Sequence, residues 1–310
     1  MAITAAMVKE LREMTGAGMM DCKKALANTD GDMDKAVEYL RENGMAKAAK
    51  KAGRIAAEGI VKTVVEGTKA AIVEVNSETD FVAKNADFNA YVEDVAAQAL
   101  TTKAADIDAF LAESWNKDSS KTVADALAGQ IAVIGENLKI RRFAQLEEAN
   151  GFIASYIHMG GKIGVLVDVE TDVVNPAIEE MARNVAMQAA ALKPTFTNRD
   201  EVSPEFIEHE KAILIAQIQN DPKEASKPEK VIQGMIQGRI NKELKEFCLM
   251  DQVYVKAEDG KQSVSQYVAS VAKANNANIT IKKFVRFETG EGMEKKEENF
   301  AEEVAKQMGK

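Results

Sequence analysis

The chain has 310 residues, 46% of them hydrophobic and 29% charged, with a formal net charge of -9. A balance that acidic excludes the broad basic surface that non-specific nucleic-acid binding requires and leaves room only for a local basic patch. Two cysteines, Cys22 and Cys248, make no disulfide framework and fit a reducing compartment; with no apolar signal segment at the start and no run long enough to span a bilayer, a cytoplasmic protein is expected.

Residues 4–44 read as three short helices. Thr4 is placed to cap the first, with Val8, Leu11 and either Met14 or Met7 on one face. Thr15-Gly16-Ala17-Gly18 breaks it, Met19 to Ala27 forms the second, and Met33 to Arg41 the third after a turn at Asn28 to Asp32. Next, Ala46 to Arg54 sets Lys47, Lys50, Lys51 and Arg54 at helical spacing. Such a stripe is either a solvated helix face or a surface for a partner or RNA.

From Gly59 the period changes. Ile60 to Val65 and Ala70 to Val75 are β-branched runs around Glu66-Gly67, a hairpin signal. Thr79-Asp80-Phe81-Val82 follows, and then a helix is marked by Phe88, Val92, Val95 and Ala99. The unit recurs: Phe152 to Ile157 and Ile163 to Val169 around Gly160-Gly161, followed by a helix on Ile178, Met181, Val185 and Ala189. Glu-Thr-Asp ends both hairpins, at Glu78 and at Glu170, and Val173 then falls near the place of Phe81. This predicts two related αβ units.

Ser203-Pro204 is a helix start. Phe206, Ile213 and Ile218 are expected on one face, and Ile232, Ile236, Ile240 and Leu244 on that of a second helix beyond the Asp221 to Pro228 turn. Together they predict a protruding antiparallel helical hairpin whose apolar surface could support self-association. Ser263-x-x-Gln266 is a capping box, Ile279 to Glu288 a strand completing the second sheet, and Phe300 to Met308 a terminal helix.

The chain has no Walker-type phosphate loop, and its two histidines and two cysteines lack zinc-site spacing, so neither nucleotide nor metal is expected to bind directly. No set of residues for covalent or acid–base catalysis stands out, which favours an interaction protein over an enzyme.

Four stretches carry a family resemblance. They are Leu11 to Leu26, Glu78 to Asn85, Ile134-Gly135-Glu136-Asn137 with Arg141-Arg142, and Phe287-Glu288-x-Gly290-Glu291-Gly292. In their order and spacing the sequence resembles the bacterial elongation factor Ts family. That resemblance implies an α+β fold: a ubiquitin-associated-like three-helix domain with its linker at 1–54, a core N-subdomain at 55–146, a core C-subdomain at 147–198 and 248–290, a coiled-coil-like hairpin at 199–247, and a C-terminal helical module at 291–310.

The resemblance also implies a function. Such a protein is a guanine nucleotide exchange factor, with no cofactor, whose partner is elongation factor Tu. Thr79, Asp80, Phe81 and Val82 match the segment that disturbs the partner's magnesium site, with Phe81 as the inserted wedge. Met19, Met20, Lys23, Ile134, Gly135 and His158 match further contacts. From the residues alone, Met19 and Met20 could equally be helix core, Phe81 a helix-start staple, and His158 a plain hairpin residue. The family often has His-Gly where this chain reads His158-Met159-Gly160-Gly161. Two other readings are an adaptor for ubiquitin-like folds and an RNA-binding protein using the lysine stripe.

Overall fold

The computed structural model describes residues 3–294, so the expected Phe300 to Met308 helix lies outside the described residues. The chain opens with α1 (Ala5–Thr15), α2 (Met19–Asn28) and α3 (Met33–Lys51). The Thr4 side chain accepts the Met7 N–H at 3.3 Å, and Gly16 closes α1 in the left-handed region. The three helices enclose Val8, Leu11, Cys22, Leu26 and Ala36. Of the two candidate inner methionines of α1, Met7 packs on this cluster and Met14 is exposed.

The first sheet unit follows. Strands β1 (Glu58–Glu66) and β2 (Lys69–Ser77) form an antiparallel hairpin with Ile60 opposite Val75. Helix α4 (Asp80–Ala83) is a single turn, and α5 (Ala86–Thr101) lays Phe88, Val92, Val95 and Ala99 on Ala71, Val73 and Val75. After α6 (Ile107–Ala112), a small hairpin of β3 (Ser114–Trp115) and β4 (Asp118–Thr122) leads into α7 (Val123–Ile134). Strand β5 (Lys139–Glu147) then completes the sheet in the order β1-β2-β5. Residues 102–133, to which the sequence reading assigned no element, hold α6, the β3–β4 hairpin and most of α7.

Helix α3 corrects the sequence reading. It runs without a break through Gly44 to Lys51, where two helices were expected. Gly44 faces α7, and a Cβ there would lie 3.6 Å from the Ala128 carbonyl oxygen and 3.7 Å from the Ala132 Cβ. The small residues let the two helices approach closely, and this packing stabilises a helix whose own sequence is a weak former at that point.

The second unit repeats the plan. Strands β6 (Gly151–His158) and β7 (Ile163–Thr171) form a hairpin, and α8 (Pro176–Leu192) buries Ile178, Met181, Val185 and Ala189 against it. Helices α9 (Pro204–Asn220), α10 (Pro222–Ala225) and α11 (Glu229–Phe247) form the expected excursion. Phe206 at the start of α9 meets Phe247 at the end of α11, and Glu224 of α10 folds back to pair with Arg239 midway along α11, so α9 and α11 are antiparallel. The inner face of α9 uses Ile207, Leu214 and Ile218, while Ile213, expected there, is exposed. Helix α12 (Val264–Ala274) opens with the Ser263–Gln266 capping box, and β8 (Ile279–Glu288) joins the sheet in the order β6-β7-β8.

The two sheets pack against each other through Val61, Ile72, Leu146, Ile153, Leu166 and Phe287, and helices cover the opposite face of each. Gly59 and Gly151 start equivalent strands. A Cβ on either would fall 2.2 Å from the Val75 or 2.0 Å from the Val169 carbonyl oxygen, so only glycine fits.

The repeat does not align as the Glu-Thr-Asp match suggested. Two residues lie between Glu66 and Lys69 at the tip of the first hairpin, but four lie between His158 and Ile163 at the second. Beyond the tips Ser77 therefore corresponds to Thr171: the Ser77 hydroxyl donates to the Thr79 carbonyl at 2.9 Å, and the Thr171 hydroxyl to that of Val173 at 3.0 Å. Asn85 and Asn175 cap the equivalent helices α5 and α8. Seven residues, 78–84, separate Ser77 from Asn85, whereas three, 172–174, separate Thr171 from Asn175. The extra four match the length of α4, so Val173 is no counterpart of Phe81.

Candidate functional site

Helix α4 is a feature that the first unit has, between its hairpin and the helix that covers it, and the second lacks. Thr79 caps it, accepting the Val82 N–H at 3.3 Å. Ala83 is buried and Val82 is partly buried against the α5 core. With those two turned inward, the turn aims Asp80 and Phe81 at solvent. Phe81 is 81% exposed, more than any other large hydrophobic residue described. It therefore does not act as a staple on its own core. Asp80 accepts from Lys84 at 2.6 Å. That bond, the Lys84 charge and the nearby Lys162 ammonium hold the Asp80 carboxyl below the usual carboxylate range. Lys162 follows the tip of the second hairpin and pairs with Glu58 of β1, so that tip and α4 share one region.

A polar brace lies under this turn. Glu136 accepts the Thr79 hydroxyl at 2.6 Å, the Glu78 N–H at 3.0 Å and the Thr79 N–H at 3.1 Å. Glu78 in return accepts the Asn137 N–H at 2.6 Å, and Asn137 donates to the Arg54 carbonyl at 2.8 Å. The brace is possible because Gly135 ends α7 with φ 86°, reversing the chain so that Glu136 and Asn137 turn back toward β2. The structure thus brings Ile134 and Gly135 together with Thr79 to Val82. Ile134 is partly buried in the α5 core, and Gly135 is at the surface, its carbonyl accepting from Lys51.

The other sequence-selected residues lie apart from this cluster. Met19 and Met20 are 59% and 74% exposed on α2, so neither belongs to the helix core, and Lys23 is exposed beside them. His158 ends β6, half-buried, with Nδ1 2.9 Å from the Tyr156 hydroxyl. The following residues Met159–Gly161 form a 3-10 turn that tucks Gly161 against Ile60 and exposes Met159.

The lysine stripe is largely used within the chain. Lys47 pairs with Asp21 at 2.8 Å, Lys51 with the Gly135 carbonyl and Arg54 with Glu78 at 3.4 Å. Arg54 lies beyond the end of α3, so the four cations do not share one helix face. Cys22 is fully buried, and burial pushes its thiol up, both of which disfavour thiolate chemistry.

Sequence reading assigned no role to Glu78, Glu136 or Asn137. Each lies in a motif already singled out, but their pairing across 58 or 59 positions leaves no local signal. Among the described residues, no group of three or more His, Cys, Asp or Glu side chains is placed to hold a metal, and no helix is long and apolar enough to cross a membrane.

A sequence model of the family described as Elongation factor TS matches residues 78–291, a span that includes the braced turn. Elongation factor Ts of Clostridium botulinum (strain Eklund 17B / Type B) is 52% identical over 310 residues, covering 99% of this chain and all of the relative. Elongation factor Ts of Clostridioides difficile (strain 630) is 53% identical over 308 residues, covering 99% of each. The chain belongs to the elongation factor Ts family of translation elongation factors.

Proposed function

We propose that this protein is the guanine nucleotide exchange factor for elongation factor Tu, and that Phe81 is its wedge. The observation that carries the reading is an 81% exposed phenylalanine on a short, capped and braced turn. A large apolar ring held in water is unfavourable for the free protein and becomes favourable when a partner covers it. Burial of one such ring is worth about 1.5–3 kcal/mol. Each factor of ten in release rate needs about 1.4 kcal/mol, so Phe81 accounts for about one to two decades of acceleration.

In this reading the ring inserts between helices of the Tu nucleotide domain and displaces the groups that hold magnesium and the β-phosphate. Asp80 and Val82 flank the wedge, and Thr79 fixes the turn. Met19, Met20 and Lys23 on the ubiquitin-associated-like domain, the surface around Ile134 and Gly135, and His158 with the second hairpin tip add contacts that keep the partner in place. Linkage requires nucleotide to weaken factor binding as much as the factor weakens nucleotide binding, so incoming GTP releases the complex. The protein makes and breaks no covalent bond in this cycle. Exposed Ile213, Ile215 and Val231 on the coiled-coil-like hairpin are available for self-association.

The test is release of labelled GDP from a matched elongation factor Tu, with the parent and with Phe81→Ala. Fast release by the parent and a loss of about ten-fold or more in the variant are expected. Equal rates would remove the wedge, and no acceleration by folded parent protein would remove the exchange function.

A further inference from the structure

We infer that Glu136 is a positioning residue for exchange, acting through the orientation of Phe81. The inference rests on the exchange reading above and adds to it a residue that never touches the nucleotide. Helix α4 has four residues, too few to hold a helical shape without outside support. Its direction must come from whatever grips the chain just before it.

That grip is one carboxylate. The Glu78 N–H, the Thr79 N–H and the Thr79 hydroxyl all converge on Glu136, at 3.0, 3.1 and 2.6 Å. The third bond matters most for direction. Because the Thr79 hydroxyl hydrogen is committed to Glu136, an oxygen lone pair faces the Val82 N–H, which it accepts at 3.3 Å. Glu136 therefore sets the rotamer of the cap, the cap sets the start of the turn, and the turn sets the direction of Phe81. The Glu78–Asn137 bond closes the loop from the other side, and Asn137 ties it to the end of the α3 segment through the Arg54 carbonyl. At the equivalent Thr171–Asn175 connection the second unit has no four-residue turn; there Asp172 accepts the Asn278 N–H at 2.8 Å, as Glu78 accepts that of Asn137, but the Val173 N–H goes to the Thr171 hydroxyl and not to a carboxylate. The Glu136 grip and the wedge occur together.

The experiment compares the parent, Phe81→Ala, Glu136→Ala, Glu136→Gln and the Phe81→Ala/Glu136→Ala double variant. It reads the maximal rate of GDP release from elongation factor Tu, the half-saturating factor concentration, and amide hydrogen exchange at Glu78 and Thr79 in the free protein. Loss of a charged hydrogen-bond acceptor is expected to lower the maximal rate about ten-fold in Glu136→Ala. Glu78 and Thr79 amides should lose protection, and the double variant should be no slower than Phe81→Ala alone. Glu136→Gln, which keeps one acceptor oxygen, should fall between parent and Glu136→Ala; it carries the test if the alanine form does not fold. A parental rate in Glu136→Ala despite unprotected amides would overturn the inference, as would rate losses that multiply in the double variant. A parental rate in Phe81→Ala would instead sink the wedge itself, and this inference with it.

Discussion

Glu74 and Asp168 occupy the same position in the two sheets, each on the central strand immediately before a shift in register, yet the two carboxyls are satisfied in opposite ways. Glu74 is fully buried and meets Arg141 at 3.0 Å, Arg142 at 2.6 Å and the Gly290 N–H at 2.8 Å. Asp168, 4% exposed, lies beside another carboxylate, that of Glu148. Its Oδ1 finds no donor among the described residues. One copy of the motif holds its charge against arginines, and the other sets a buried acid beside a second carboxylate.

The paired acids give a pH dependence. Burial, followed by the hydrogen bond and charge of Glu148, pushes the Asp168 carboxyl up to about 6, against the pull of Lys282 and Lys283 on β8. Glu148 is held below its ordinary value, first by the Asn150 N–H at 2.6 Å, and remains the charged member. Because the folded-state value of Asp168 is raised, its favourable contribution is full below about pH 4 and is lost as pH rises through about 6. Asp168→Asn keeps a donor toward Glu148 at every pH. Urea unfolding should find it about 1–2 kcal/mol more stable than the parent near pH 8, with the difference gone near pH 4.

Removing Glu74 has the opposite sign. Glu74→Ala leaves two arginines and the Gly290 N–H facing an apolar seam between the sheets, and breaking a buried pair in this way costs about 3 kcal/mol. Denaturant unfolding should show the loss at neutral pH. A change under 1 kcal/mol would mean that water reaches Arg141 and Arg142 as readily as the carboxylate did.

The strand-start glycines separate steric need from mere conformational preference. Gly59→Ala places a methyl 2.2 Å from the Val75 carbonyl oxygen at φ 122°, and should cost at least about 3 kcal/mol because the strand must move. At the hairpin tip Gly67→Ala meets no atom within 4 Å and pays only the left-handed backbone term, about 1 kcal/mol. Thermal unfolding of the two variants should differ clearly in midpoint.

Gly44 should behave differently again. A Cβ there makes ordinary contact with Ala128 and Ala132, so Gly44→Ala should stabilise α3 by about 0.5–1 kcal/mol through helix propensity. Gly44→Leu is too large for the α3–α7 seam and should destabilise the attachment of the three-helix unit. Protease susceptibility of the segment around Ala52–Ala57 would report that detachment while the sheet core stays folded.

Much of this molecule was legible in its sequence because the signals are local. The helices on Phe88 to Ala99 and Ile178 to Ala189, both hairpins, the Thr4 and Ser203 caps, the Ser263 box and the strand at 279–288 each follow from a period or a cap within a few residues of itself. The Thr79 to Val82 segment was also visible as a motif. Non-local relationships were not. Nothing near Gly44 says that α7 will pack on it and carry α3 through, and nothing near Ile213 says that Leu214 will take the inner face. The Glu-Thr-Asp repeat even misled, because a longer hairpin tip in the second unit and the four added residues of α4 in the first shift the frame on either side of it. The sequence by itself marked the strongly periodic helices, the two hairpins and the 279–288 strand, though not the elements between residues 107 and 147, and it marked Phe81 as worth attention. Only tertiary structure decided that Phe81 faces water, because Val82 and Ala83 turn inward onto the α5 core and Glu136 holds Thr79 across 57 positions, contacts that exist only once the chain has folded.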